Sequence, residues 1–309
     1  MELDYGKTAK NIKRKIKTEP SRVVFNIVAY SLITIISITC IIPFYLIIVG
    51  SFTSEVTILK YGFRFIPVQW STDAYRVLFK SWDQIISAYR ITIFLSVVGP
   101  IIGLFLQSMA GYVLQRKDFK YRNGLSFFIY FTTLFSGGLI PWYILIVQYL
   151  RWKDNILAML VPSLISSWNI IMLKNFMKSI PDEITESAKI DGAGDFIIYL
   201  KLILPLSIPA LATIGLFMAL GYWNDWFLCN LFITSESKFN LQYLLYQILG
   251  KAEFLKSAAY TMISAPNYQP PTESLKLATA VVVVGPIIFL YPFIQKFFVK
   301  GLTVGAIKG

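Results

Sequence analysis

The chain contains no histidine among its 309 residues and only two cysteines. Without imidazole, Ser-His-Asp triads, histidine acid–base pairs and HExxH metal sites are all excluded. Cys40 and Cys229 lie far apart, each in apolar sequence, so neither a disulfide framework nor a metal site is expected. Charge is scarce too: 15% of the residues are Asp, Glu, Lys or Arg, against about a quarter in soluble domains. No GxxxxGK[ST] pattern occurs, so the chain does not bind ATP in the P-loop manner and no cofactor is expected on it. Internal repeats of about 20 to 50 residues and low-complexity segments are also missing.

What is abundant is apolar. Hydrophobic residues make up 56% of the chain, including 24 Phe, 18 Tyr and 7 Trp, and the mean hydropathy is +0.60. This is the composition of a membrane protein with aromatic belts. The net charge of +12 does not imply a nucleic-acid partner, because no basic run is interleaved with aromatics outside the hydrophobic segments. Lys and Arg flanking membrane spans account for it.

A helix crosses the hydrocarbon core in about 20 residues, and windows near 23–50, 86–114, 125–147, 156–176, 205–228 and 277–298 approach that length. The first follows a polar, basic stretch of 22 residues, is too long for a signal peptide and lacks a cleavage site, so it is expected to be a retained span. The domain reading is therefore a basic tail (1–22), a six-span body (23–298) and a short tail (299–309). With the N-terminus in the cytoplasm, the inner segments hold 18 Lys and Arg in 76 residues and the outer ones 11 in 96. That bias places both termini in the cytoplasm. Gly99, Gly103 and Gly111, with Gln107 between them, form a small-residue stripe suited to close helix packing within the bundle. Pro43 is expected to bend the first span, and Pro286 and Pro292 the last.

One segment between spans is polar. Pro181, Asp182 and Glu183 suit a helix start, and Gly192 suits its end in a left-handed conformation. A second helix is expected from about Asp195 to Leu204, with Pro205 opening the fifth span. Ile184 and Ala188 form a weak apolar strip, and Ala188 and Ala193 keep the turn slim. From the residues alone, both a solvated hairpin and a plug for another protein's groove remain open.

Glu186-Ser187-Ala188, three residues, Gly192, nine residues, then Leu202-Ile203-Leu204-Pro205 resembles the EAA signature of ABC importer permease subunits. The likeness extends through LKNFMKSIPDEITESAKIDGAG and LILPLSIPALATIGLF. It departs at Ser187, where that family usually has alanine, and at Leu202, usually isoleucine. FSGGLIPWYILI, GYWNDWFLCNLF and the C-terminal FFVKGLTVGAIKG resemble the MalG-type carbohydrate branch, and SGGLIP is similar to the polysaccharide-type permeases of Gram-positive bacteria.

The resemblance implies an all-α membrane protein with six transmembrane helices and the type I ABC importer permease fold. It implies a cytoplasmic coupling loop (177–204) that docks into a cytoplasmic ATPase dimer through Ile184, Glu186, Ser187, Ala188, Asp191, Gly192 and Ala193. It further implies a second permease subunit, an extracellular solute-binding lipoprotein, a sugar or oligosaccharide cargo, and a tail (Lys300, Gly301, Thr303, Gly305, Lys308) reaching the ATPase. ATP and Mg2+ would sit on that partner.

In GYWNDWF, the carboxylate of Asp225 near the outer end of a span is expected to face protein or water. With Trp223, Asn224 and Trp226 it offers rings for stacking and polar groups for hydroxyls, a candidate substrate pathway. Two other readings stand beside this one. The same architecture could carry a peptide or amino acid. An intramembrane carboxylate enzyme is the other, but it needs clustered acids and Asp225 is nearly alone.

Overall fold

The computed structural model of the chain describes residues 20–261, 272–286 and 288. Among these residues it is all-helical, with one isolated antiparallel bridge between Thr53 and Trp70. Helix α1 (Pro20–Ser51) is followed by two short helices, α2 (Glu55–Tyr61) and α3 (Asp73–Phe79), and then by α4 (Trp82–Gln115). Both α1 and α4 are continuous and apolar enough to cross a bilayer. Pro43 lies within α1 without ending it.

The expected third, fourth and fifth spans are not straight helices. Each is a bent pair. Helix α5 (Arg122–Leu134) meets α6 (Leu139–Ile144, continued by a π turn, Leu145–Tyr149) at 111°. Helix α7 (Leu157–Leu160, continued as a 3-10 turn, Val161–Ser163) meets α8 (Ser167–Lys178) at 41°. After α9 (Asp182–Ile190), a helix made of α10 (Asp195–Ile198), a π turn (Tyr199–Ile203) and α11 (Leu204–Leu206) meets α12 (Ile208–Asn224) at 79°.

The breaks have local causes. In the first pair, Ser136 Oγ accepts the Gly138 N–H at 3.2 Å, a local bond that competes with the helix ladder. In the second, Ser166 Oγ accepts from Asn169 N–H and caps α8 afresh. In the third, Pro205 and Pro209 supply no N–H, and the ladder widens to a π turn before the chain swings at Ser207. The expectation that Pro205 opens the fifth span is thus corrected: the helix from Asp195 runs through it to Leu206.

The stretch 229–276, expected to be an outer loop, contains α13 (Phe227–Phe232, in its first part) and the long helix α14 (Leu241–Thr261). Helix α14 escaped the hydropathy reading because it is only half apolar: Leu241, Tyr243 and Leu244 are buried while Tyr246 and Gly250 are exposed. Residues 273–286 form a further helix, α15, in which Pro286 is still helical; most of the remainder of the expected sixth span, Pro292 included, and residues 1–19 lie outside the described residues.

Helix α4 is the centre of the fold, with α12 and α8 packed along it and α5 and α14 at its flanks. Its buried face repeats at three- and four-residue steps through Ile85, Ala88, Thr92, Leu95, Gly99, Gly103, Gln107 and Gly111. The glycines allow the approach: a Cβ on Gly99 would lie 2.2 Å from the Tyr222 ring, and one on Gly103 2.8 Å from the Leu164 carbonyl. Gln107 Nε2 donates to that same carbonyl at 2.6 Å. The stripe is therefore used within the chain, as expected. By contrast, α1 is exposed over nearly all its length up to Tyr45.

At the end of the bundle where α4 starts, Glu55 closes the structure. Its buried carboxylate accepts from Thr272 Oγ1, Glu273 N–H, Ser274 N–H and Ser274 Oγ at 2.8 to 3.0 Å. It thereby satisfies the free donors that begin α15 and meets the positive end of its dipole. Nearby, Thr92 Oγ1 accepts the Leu241 N–H at 2.8 Å.

The close approach at Gly103 is testable against Gly124, whose Cβ would meet open space. Gly103→Ala is expected to destabilise the protein by about 1 to 3 kcal/mol through overpacking, lowering its thermal midpoint in detergent. Gly124→Ala should leave the midpoint unchanged or slightly raised. Equal behaviour of the two variants would disprove the packing described.

Candidate functional site

The polar hairpin folds as expected from its sequence. Pro181 precedes α9, and Asp182 and Glu183 occupy its first turn. At the other end Asp191, Gly192 and Ala193 donate their N–H groups to the carbonyls of Ser187, Lys189 and Ala188 at 3.1, 3.0 and 2.9 Å. The five-residue reach of the last bond is that of a Schellman cap, and Gly192 holds the required left-handed position at φ +79°.

The hairpin's two faces are distinct. Ala188 and Ala193 pack against a buried cluster of Tyr112, Met177, Ile198, Tyr199 and Ile203, and Ile184 is half-buried. The apolar strip therefore faces, in large part, the chain itself. Glu186, Ser187, Asp191 and Gly192 are exposed. Sequence reasoning missed Ile190, which is 87% exposed. The signal was present in helical spacing: Glu183, Glu186, Ser187 and Ile190 share one side of α9, and all four are exposed.

Charged residues of the α4–α5 turn hold the hairpin from above. Lys117 Nζ pairs with Asp182 at 2.6 Å and Lys189 Nζ with Asp118 at 2.8 Å. Arg116 bonds both Asp118 and Asp195, and donates to the Tyr112 hydroxyl at 3.0 Å. The bonds from Arg116 and Lys189 hold the Asp118 carboxyl well below the usual carboxylate range. The three ties to the hairpin were not read from the sequence, since partners 65 to 79 positions apart leave no periodic trace.

In GYWNDWF the four candidate residues separate. Trp223 is buried among Leu78, Ile85, Ala88, Leu241, Leu244 and Val283, so it packs the core and presents no ring face. Asn224 is exposed. Asp225 ends α12, and its Oδ1 accepts the Leu228 N–H at 3.1 Å. Trp226 stacks on Tyr246 with centroids 4.8 Å apart. A cavity of about 460 Å³ is lined by Trp142, Pro162, Ser163, Met218, Gly221, Tyr222, Asp225 and Leu228. Of the sequence candidates only Asp225 reaches it. Trp142, Ser163 and Tyr222 were missed because they converge from three separate spans.

No group of three metal-ligating side chains occurs among the described residues. The tail candidates Lys300, Gly301, Thr303, Gly305 and Lys308 lie outside the described residues.

The chain is similar to known proteins over most of its length. Residues 99–304 match the family described as "Binding-protein-dependent transport system inner membrane component". The chain is 39% identical to the Bacillus subtilis polygalacturonan/rhamnogalacturonan transport system permease protein YtcP, over 92% of this chain and 98% of that one. It is 38% identical to Bacillus subtilis protein LplC, over 87% and 90%. Among solved structures, a chain of a bacterial ABC transporter involved in import of the acidic polysaccharide alginate superposes with a TM-score of 0.77 at 30% identity, covering 91% of this chain and 99% of that one.

The left-handed turn gives a direct test. Gly192→Val places a β-branched side chain at a positive φ, at a cost of about 1 to 2 kcal/mol. Amide hydrogen exchange of residues 186–196 is expected to quicken roughly 5- to 30-fold while α4 and α12 keep their protection. Unchanged exchange in the hairpin would show that the turn does not need glycine.

Proposed function

We propose, for a chain that belongs to the family of binding-protein-dependent transport system inner membrane components, that α9 is the element through which a cytoplasmic ATPase dimer drives it. The chain is a membrane permease subunit of an ABC importer and not an enzyme. It has no P-loop pattern of its own, so its energy comes from a partner that binds ATP and Mg2+. The observation that carries the proposal is the exposed side of α9, an acidic rim (Glu183, Glu186) around the bare side chain of Ile190. A buried apolar anchor with a polar surround is what a protein groove recognises.

In this reading Glu186, Ser187, Asp191 and Gly192 meet the ATPase together with Ile190, and Ile184, Ala188 and Ala193 set the height of α9 above the bundle. The tail residues Lys300, Gly301, Thr303, Gly305 and Lys308 reach the same partner. Both termini and α9 face the cytoplasm, following the bias of Lys and Arg. Two further partners complete the assembly: a second permease subunit, with which this chain shares the translocation path, and an extracellular solute-binding lipoprotein.

The cargo we propose is a sugar or oligosaccharide. One relative is named for polygalacturonan and rhamnogalacturonan transport and the neighbouring structure for alginate import. The cavity beside Asp225 fits that class, with the Trp142 ring for a sugar face and Ser163 and Asp225 for hydroxyls; the Tyr222 hydroxyl is held by the Leu160 carbonyl. Asn224 and Trp226 adjoin Asp225 along the chain, and Trp223 serves the fold from within its apolar cluster.

Two experiments check these assignments. Glu186→Lys and Ile190→Asp are each expected to release the ATPase from the detergent-purified complex and to lower uptake at least tenfold, with the permease pair intact. Retained ATPase and normal uptake in both variants would refute docking through α9. Asp225→Leu should weaken saccharide contact by on the order of 1 to 3 kcal/mol, seen as reduced uptake at limiting substrate. Normal uptake of saccharide by Asp225→Leu, or transport of peptides in its place, would overturn the pathway.

A further inference from the structure

The turn between α4 and α5 carries three consecutive charged residues, Arg116-Lys117-Asp118, and each reaches a different point of the hairpin. Lys117 holds Asp182 at the start of α9, Asp118 holds Lys189 in its last turn, and Arg116 passes beyond the glycine turn to Asp195 at the start of α10. These partners bracket the hairpin's soft point. Between α9 and α10 the chain runs through Asp191, Gly192, Ala193 and Gly194, where two glycines and no regular ladder resist bending poorly.

The three ties are unequal. Lys117 and Asp182 have side chains 75% and 53% exposed, and a solvated pair of that kind contributes little. Arg116 is different. Its side chain is only 10% exposed, it lies over the Tyr112 ring at 5.6 Å, and its planar fork serves two carboxylates and a hydroxyl at once. Its backbone carbonyl is in turn held by Arg122 Nη1 at 3.4 Å. A solvated charged turn needs none of this enclosure. Below the arginine, Tyr112 and Tyr199 pack together, and the Tyr199 hydroxyl shares a 2.7 Å hydrogen bond with Ser108 of α4.

We propose that Arg116 is a positioning residue for energy coupling: it clasps the hairpin to the end of α4, so that force applied to α9 moves the central helix instead of flexing the glycine turn. This rests on the reading of α9 as the ATPase docking element. Arg116 does not touch the ATPase or the cargo in this role. Its effect passes through the fixed angle between α9, α10 and α4, and α4 carries it to α8 and α12, of which α12 lines the cavity.

The test uses the complete transporter in proteoliposomes: both permeases, the ATPase dimer and the receptor. Arg116→Gln is expected to keep the ATPase bound and hydrolysis within about twofold of the unmodified complex, while saccharide taken up per ATP hydrolysed falls about five- to tenfold. Asp195→Asn, at an exposed position that leaves Arg116 paired with Asp118, should lower that ratio about two- to threefold. Arg116→Lys, which keeps the charge but loses the fork, should fall between Arg116→Gln and the unmodified complex. A wild-type ratio in both Arg116→Gln and Asp195→Asn overturns the proposal. So does a parallel loss of assembly, hydrolysis and uptake at constant ratio, which is what a merely structural arginine would give. If Glu186→Lys and Ile190→Asp release the ATPase while Arg116→Gln pumps at the normal ratio, the clasp falls and α9 docking stands. If those two variants keep the ATPase and pump normally, the docking reading falls and takes the clasp with it.

Discussion

The near-contact of α4 with α8 and α12 is the constraint on which the rest of this structure depends. Inside a bilayer there is little hydrophobic gain in bringing two apolar helices together, so association rests on dispersion, close packing and satisfied polar groups. Gly99 and Gly103 remove the atoms that would hold α12 and the Leu164 backbone away. Gln107 then fixes the register by donating to the Leu164 carbonyl, a group left without a helical partner because the fourth span breaks beside it. A straight fourth helix would not offer that carbonyl, and a bulkier residue at position 103 would not let Gln107 reach it.

The same centrality makes α4 the connection between the two ends of the molecule. At one end Thr92 receives the first N–H of α14 and Tyr89 donates to the Val282 carbonyl of α15. Glu55 secures α15 independently by capping its start. At the other end Ser108 joins Tyr199, and Arg116 gathers Asp118 and Asp195. Interiors packed in this way transmit displacement because they do not compress. The bent pairs supply the complementary property. Breaks at 135–138, 164–166 and Ser207 are places where the backbone ladder is already interrupted and local side chains or proline set the direction, so the change of direction there breaks no regular helix.

Much of this was legible beforehand, for reasons that can be given residue by residue. Helices α1 and α4 announced themselves because each is a long run of apolar side chains and nothing else in the chain is as long. The hairpin was legible because Pro181, the two acids after it and Gly192 are local signals, and a cap is decided within a few residues. Gly99, Gly103 and Gly111 were read as an internal packing stripe from spacing alone. The breaks in the third and fifth spans were not read, although FSGG, Pro205 and Pro209 were in view, because hydropathy averages over a window and a kink depends on single hydrogen bonds. Helix α14 was passed over for a related reason: it satisfies helical periodicity but not a membrane threshold.

The sequence by itself determined the class of molecule, the rough number and place of its spans, the hairpin, and the absence of histidine or P-loop chemistry. All of these follow from composition or from signals within about ten residues of one another. Tertiary structure alone decided which face each side chain presents. It turned Ala188 and Ala193 inward and Ile190 outward, buried Trp223 in the core, brought Trp142, Ser163 and Asp225 to one cavity, and set Arg116 between carboxylates on two different elements. The physical reason is that a helix has several apolar sides when its surroundings are lipid, and only the shape of its neighbours determines which of them meets protein.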